Sequence, residues 1–142
     1  MSTVANAYVE TQVMTASPER LHLMVVDAAI RFARQGEMAL TAGDHEAAFH
    51  ALTRSRSCIN EIVSGIAAEP NPELAERLKA LFLFVHVNLA RADFIHDSQL
   101  VRDALAILGT HRQTWLELLG RMQREHAAPS GSHEASEHSW TT

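Results

Sequence analysis

Residues 8–32 read Tyr8-Val-Glu-Thr-Gln-Val-Met-Thr-Ala-Ser-Pro-Glu-Arg-Leu-His-Leu-Met-Val-Val-Asp-Ala-Ala-Ile-Arg-Phe32, and the fold turns on what happens in the middle of this stretch. Ser17-Pro18-Glu19 is a helix start. A Ser side chain there accepts a hydrogen bond from an early backbone N–H, Pro suits the first helical position, and Glu faces the positive end of the helix dipole. On its N-terminal side lies a loosely amphipathic arm with the one Tyr of the chain. On its C-terminal side runs a helix whose apolar residues cover more than a single stripe.

Working outward, the same grammar repeats. The first helix is expected to end near Thr41-Ala42-Gly43, with Gly43 after its last turn and Asp44 capping the second helix. That helix carries Ala48, Leu52, Ser55, Ile59, Ile62 and Ile66, spaced alternately four and three apart, as a bundle interior requires. Glu69-Pro70-Asn71-Pro72 breaks the pattern, with Asn71 as cap and Pro72 in the first turn of a third helix. Its expected seam is Leu74, Leu78, Leu81, Val85, Asn88, Ala92 and Ile95. Asp97 caps a fourth helix with Val101, Ala104, Leu108, His111, Trp115, Leu118 and Met122 inward. Strand signals are almost absent, with no sustained period-two runs and no Asn-Gly or Asp-Gly turns.

Four helices of about 22 to 27 residues are roughly 33–40 Å long, and short connections make sequential helices antiparallel neighbours. The expected fold is all-α: an elongated antiparallel up-down four-helix bundle, with the N-terminal arm packed against it as a short extra helix. The expected division is an arm or lid over 1–16, a helical bundle over 17–125 and a disordered polar tail over 126–142.

Composition narrows the function classes. The chain has 142 residues, 46% of them apolar and 20% charged, which suits one globular domain. A net charge of −5, with Arg scattered and Lys79 alone of its kind, argues against nucleic-acid binding. A single Cys, Cys58, excludes a disulfide framework within the chain and fits a reducing compartment. No basic residue precedes Arg20, so no secretory signal is expected. The greasiest window, 21–30, is broken by His22 and Asp27 and is too short to span a bilayer. A cytoplasmic protein without membrane insertion is the expectation.

Catalysis and metal binding find little to stand on. A di-metal bundle needs inward Glu from two helices and Glu-x-x-His from two others; here one Glu-x-x-His, Glu19 to His22, falls in a first turn. Cys58 lies in an apolar context as a core thiol. Asp27/Arg31 and Glu73/Arg77 have the spacing of helical ion pairs. No cofactor, no metal site and no enzyme activity are expected.

The apolar surplus remains. On the first helix Leu21, Val25, Ala28 and Phe32 can face the core, leaving Leu23, Val26, Ile30 and Ala33 as a second stripe. The third helix likewise has Phe82, Phe84, Val87 and Leu89 outside or beside its seam. One reading makes both helices central. The other makes these stripes a groove for an amphipathic or extended partner.

The residues that carry a resemblance are now in view. Tyr8, then Thr15-Ala16-Ser17-Pro18-Glu19, Asp27-Ala-Ala-Ile-Arg-Phe32, Ala42-Gly43-Asp44, Cys58-Ile59-Asn60-Glu61-Ile62, Leu81-Phe-Leu-Phe-Val85, Asn88-Leu-Ala-Arg-Ala92 and Trp115 resemble the flagellar secretion chaperone FliS family over roughly residues 5–120. The resemblance implies a cytoplasmic antiparallel bundle that binds the C-terminal segment of flagellin, prevents premature polymerisation and hands it to the flagellar type III export apparatus. It implies Tyr8 on a displaceable arm as a client contact. The partner-binding set expected on this basis is Tyr8, Leu23, Val26, Ile30, Phe82, Phe84 and Leu89. Export gate components are further partners, and the free protein is a monomer or an arm-exchanged dimer. The chain has Val25-Val26-Asp27-Ala28 where the family usually has Leu-Tyr-Asp-Gly, and Leu81-Phe82-Leu83-Phe84 where it often has Leu-Tyr-x-Tyr. The alternatives are a ligand- or metal-binding four-helix bundle and a FliS-like regulatory adaptor for another flagellar protein.

Overall fold

The computed structural model describes residues 17–67 and 71–141, with side chains described through residue 127. Four helices run in order: α1 (Pro18–Thr41), α2 (His45–Ser64), α3 (Pro72–Ile95) and α4 (Ser98–Thr141). The arm over 1–16, and with it Tyr8, lies outside the described residues, whereas the stretch expected to be a disordered polar tail continues α4 as helix to Thr141.

Each helix begins where its sequence says it should. The Ser17 hydroxyl accepts a hydrogen bond from the Arg20 N–H at 3.2 Å. The Asp44 carboxylate accepts from Ala47 at 3.1 Å, and the Asn71 side chain accepts from Leu74 at 3.1 Å. These are N-cap bonds to otherwise unpaired first-turn donors. Asp97 accepts from the Gln99 N–H at 2.9 Å. Gly43 takes a positive φ of 75° just past α1, the left-handed conformation that a glycine adopts without steric penalty. His96 does the same work after α3 at φ 57°.

The helices close into a ring: α1 packs on α2 and α4, and α3 packs on the same two neighbours. The core holds Val26, Ala29, Ile30 and Ala33 from α1, Leu52, Ile59 and Ile62 from α2, Phe82, Val85 and Leu89 from α3, and Val101, Ala104 and Leu108 from α4. Every expected inward position of α2 from Ala48 to Ile62 is buried. Ser55 is fully buried among them, and its hydroxyl donates to the Ala29 carbonyl of α1 at 2.7 Å. That bond satisfies a polar group that would otherwise be stranded in the core.

Three seams differ from expectation. On α1 the stripes are exchanged: Val26, Ile30 and Ala33 are core, whereas Leu21, Val25, Ala28 and Phe32 are only partly buried. The small residues Ala29, Ala33 and Gly36 explain this, since they share the face that α2 approaches. On α3 the inward set is Ala75, Phe82, Val85, Asn88, Leu89 and Ala92, while Leu74 and Ile95 are about half exposed. On α4 Leu119, not Leu118, is the buried leucine of the last turns.

Charged groups tie the ring together at its surface. Asp27 of α1 bonds Arg112 of α4, a partner across the bundle in place of the expected Arg31 one turn along. Glu73 and Arg77 form the expected pair at 2.8 Å. Arg102 of α4 reaches Glu37 near the end of α1 at 3.2 Å. Arg56 of α2 lies 3.6 Å from Asp93 of α3, both side chains mostly buried.

Candidate functional site

The bundle has one end where α1 begins, α2 finishes and α3 begins, and α4 passes by. The side chains there do not close over the axis. The result is an open cavity of about 550 Å³. Its walls are Leu21, His22 and Val25 of α1, Ile62 of α2 with Ile66 and Ala67 after it, Leu74, Leu78 and Phe82 of α3, and His111 and Trp115 of α4. Glu19 and Glu61 stand among them. The lining is predominantly apolar with a few polar groups, the composition that binds apolar segments or small molecules.

An aromatic cluster forms the inner wall. The His22 ring lies 4.3 Å from Trp115 and 5.0 Å from His111, centroid to centroid. Phe82 meets His111 edge-on at 4.9 Å. The Trp115 indole N–H donates to the Glu19 carbonyl at 2.8 Å, which fastens α4 to the first turn of α1. The Nε2 atoms of His22 and His111 face each other at 2.8 Å. A hydrogen bond at that distance requires one ring to carry its proton on Nε2 and the other to present a lone pair there.

Burial dominates the electrostatics of this pair. It lowers the pKa of His22 from 6.5 to about 4, with the neighbouring His111 adding to the effect. Burial lowers His111 as well. Both shifts stem from withdrawing an imidazolium from water. Elsewhere, Cys58 packs against the core and burial raises its pKa, which makes it a poor nucleophile. Among the described residues no group of three or more His, Cys, Asp or Glu is arranged to hold a metal ion.

A second apolar surface lies on the outer side of α3. Leu83, Phe84 and Val87 are each about half exposed, and Phe94 is 86% exposed. At 100° per residue these four fall on one face, opposite Val85, Leu89 and Ala92.

The expected partner-binding set divides accordingly. Val26, Phe82 and Leu89 are fully buried and Ile30 nearly so. These four are core side chains with no surface to offer, because α1 sits about a quarter turn, and α3 about an eighth of a turn, from the assumed orientation. Phe82 comes nearest to the site, since one side of it lines the cavity. Leu23 is partly buried and Phe84 is exposed, but neither lines the cavity. His22, His111 and Trp115 do, and the sequence pattern did not place them in a site. The available signal was that His111 and Trp115 fall on an otherwise aliphatic seam, at the depth where His22 leaves α1.

Residues 1–122 match a family model described as flagellar protein FliS. A flagellar secretion chaperone FliS of Salmonella typhimurium is 28% identical over 115 residues, covering 80% of this chain and 85% of that protein. One from Bacillus subtilis is 22% identical over 125 residues, covering 88% of this chain and 92% of the other. A third, from Vibrio cholerae, is 24% identical over 107 residues, covering 75% and 79%. With the helical bundle in place and the match extending over most of the sequence, this chain belongs to the FliS family of flagellar proteins.

Proposed function

We propose that this chain is a cytoplasmic, non-catalytic export chaperone. It binds the C-terminal segment of flagellin, keeps it from polymerising prematurely and hands it to the flagellar type III export apparatus, whose gate components are its further partners. The observation that carries the reading is the open apolar cavity at the end of the bundle where α1 begins. The exposed stripe of Leu83, Phe84, Val87 and Phe94 on α3 extends the apolar surface away from it. A segment that is disordered until bound gains affinity by laying short amphipathic stretches on such surfaces, each contributing modestly. The names of the three relatives as flagellar secretion chaperones support the same reading.

In this scheme the arm over 1–16 is a lid, because it joins α1 at Ser17, directly beside the cavity wall at Pro18 and Glu19. Tyr8 is the arm's client contact. Leu23 and Phe84 retain the role expected of them, whereas Val26, Ile30, Phe82 and Leu89 act by shaping the core beneath the seat.

Titrating the full chain by calorimetry with a peptide spanning the C-terminal segment of the flagellin from the same organism tests the proposal. The expected result is one peptide per chain, with weaker binding by Tyr8→Ala and an unchanged melting temperature. Absence of heat at tens of micromolar peptide would sink the reading.

A further inference from the structure

The cavity contains two groups that apolar binding alone does not call for. His22 and His111 come from α1 and α4 and join through a single Nε2–Nε2 contact of 2.8 Å. One shared proton holds the neutral pair together. Two protons would put N–H groups head to head and drive the rings apart. Around the pair, the other titratable groups on the cavity wall are Glu19 of α1 and Glu61 of α2. The α3 wall is Leu74, Ala75, Leu78 and Phe82 with Asn71 before it, none of them titratable. Arg112, beside His111 on α4, is engaged with Asp27 of α1. The pair therefore has no cation competing for it within the cavity lining, and carboxylates stand on two of the four walls.

An apolar segment closing the mouth removes the water that still reaches the imidazoles, so the charged forms become harder to reach. By reciprocity, a ligand that opposes protonation is itself opposed by protonation.

We propose that protonation of the His22–His111 pair and apolar occupancy of the cavity exclude one another, so that a client seated at neutral pH is released on acidification. This inference rests on reading the cavity as the client seat. The first added proton keeps the Nε2–H···Nε2 bond but puts a net charge in the cavity, and the second sets the N–H groups head to head, so that the rings separate and Trp115, packed against His22, loses its support. The affected range lies on the acid side of the ordinary histidine value and extends to about pH 4, where His22 takes up its proton. Each proton so coupled weakens binding by up to about tenfold per pH unit.

The test uses two ligands and one ligand-free measurement on the full chain. The flagellin C-terminal peptide and the uncharged apolar dye N-phenyl-1-naphthylamine are each titrated at pH 7.5 and pH 5, with far-ultraviolet circular dichroism confirming that the helices persist. Both affinities are expected to fall severalfold at pH 5. The His22→Gln/His111→Gln double variant, which keeps an amide hydrogen bond but cannot titrate, is expected to show dye affinities at the two pH values that agree within about twofold. The imidazole proton resonances of the unaltered protein provide a readout independent of that variant's folding. Both rings are expected to titrate below pH 6.5, and lower still with dye bound. Ordinary midpoints near 6.5 that ignore the dye, or equal affinities at the two pH values, would overturn the proposal. A peptide that fails to bind at pH 7.5 would remove the client reading, while the dye and the resonances would still decide the exclusion itself.

Discussion

Gly36 marks the closest approach of α1 to α2. A Cβ there would lie 2.4 Å from Cδ2 of Leu52, and Leu52 is fully buried, so its side chain has little room to yield. Gly36→Ala is expected to destabilise the protein by about 1–3 kcal/mol, the usual range for overpacking a core. That loss outweighs the ~1 kcal/mol gained from the better helix former. A lower urea midpoint would show it, and a higher one would mean the two helices separate easily. The face bearing Gly36 also bears Ala29 and Ala33, the former accepting the Ser55 bond. This run of small residues was the legible clue to which side of α1 faces α2. The larger residues Val25 and Phe32 obscured it, because apolar character alone favours bulk. The three positions where the family usually has Tyr, Val26, Phe82 and Phe84, are affected too. Val26 and Phe82 are fully buried whereas Phe84 is exposed, so two of the missing hydroxyls change the interior and one changes the surface.

Among the helices, α2 was the easiest to orient and α3 the hardest. In α2 the inward residues alternate with Arg54, Ser57, Asn60 and Glu61, so the pattern has a phase. In α3 the run from Leu81 to Ala90 contains no charged residue except a titratable His86, and apolar side chains point in every direction. A period cannot be phased when both faces are apolar. Packing decides instead: Phe82, Val85 and Leu89 go inward and leave Leu83, Phe84, Val87 and Phe94 outside. Phe84→Ser with Phe94→Ser is expected to leave stability within about 0.5 kcal/mol of the parent, as for surface changes generally. The same pair is expected to weaken the flagellin peptide several-fold by calorimetry. A large drop in the urea midpoint would place these rings in the core after all.

At the scale of the whole molecule, the buried imidazoles make stability depend on pH. The folded-state values of His22 and His111 are lowered, as is that of His86, by burial and then by Arg56. A histidine with a lowered folded-state pKa favours folding above its unfolded value of about 6.5. Its contribution is lost as pH falls below that, because the unfolded chain then binds protons the folded one refuses. The urea midpoint is therefore expected to fall between pH 7.5 and pH 5, with a shallower fall in His22→Gln/His111→Gln. An equal slope in that variant would assign the effect to other groups.

The helices and their order were determined by the sequence itself. Caps at Ser17, Asp44 and Asn71, breaks at Gly43 and Pro70-Asn71-Pro72, and apolar periodicity are local signals. They act within a turn or two of the residues that carry them, and short connections then impose an antiparallel ring. Tertiary structure alone decided how far each helix is rotated about its own axis, because that depends on which side chains of four helices fit together. The rotation buries Val26, Ile30, Phe82 and Leu89, and it brings His22 and His111, 89 positions apart in sequence, to a shared proton beside Trp115. No local pattern encodes that meeting, since each imidazole is placed by the packing of its own helix against the other three.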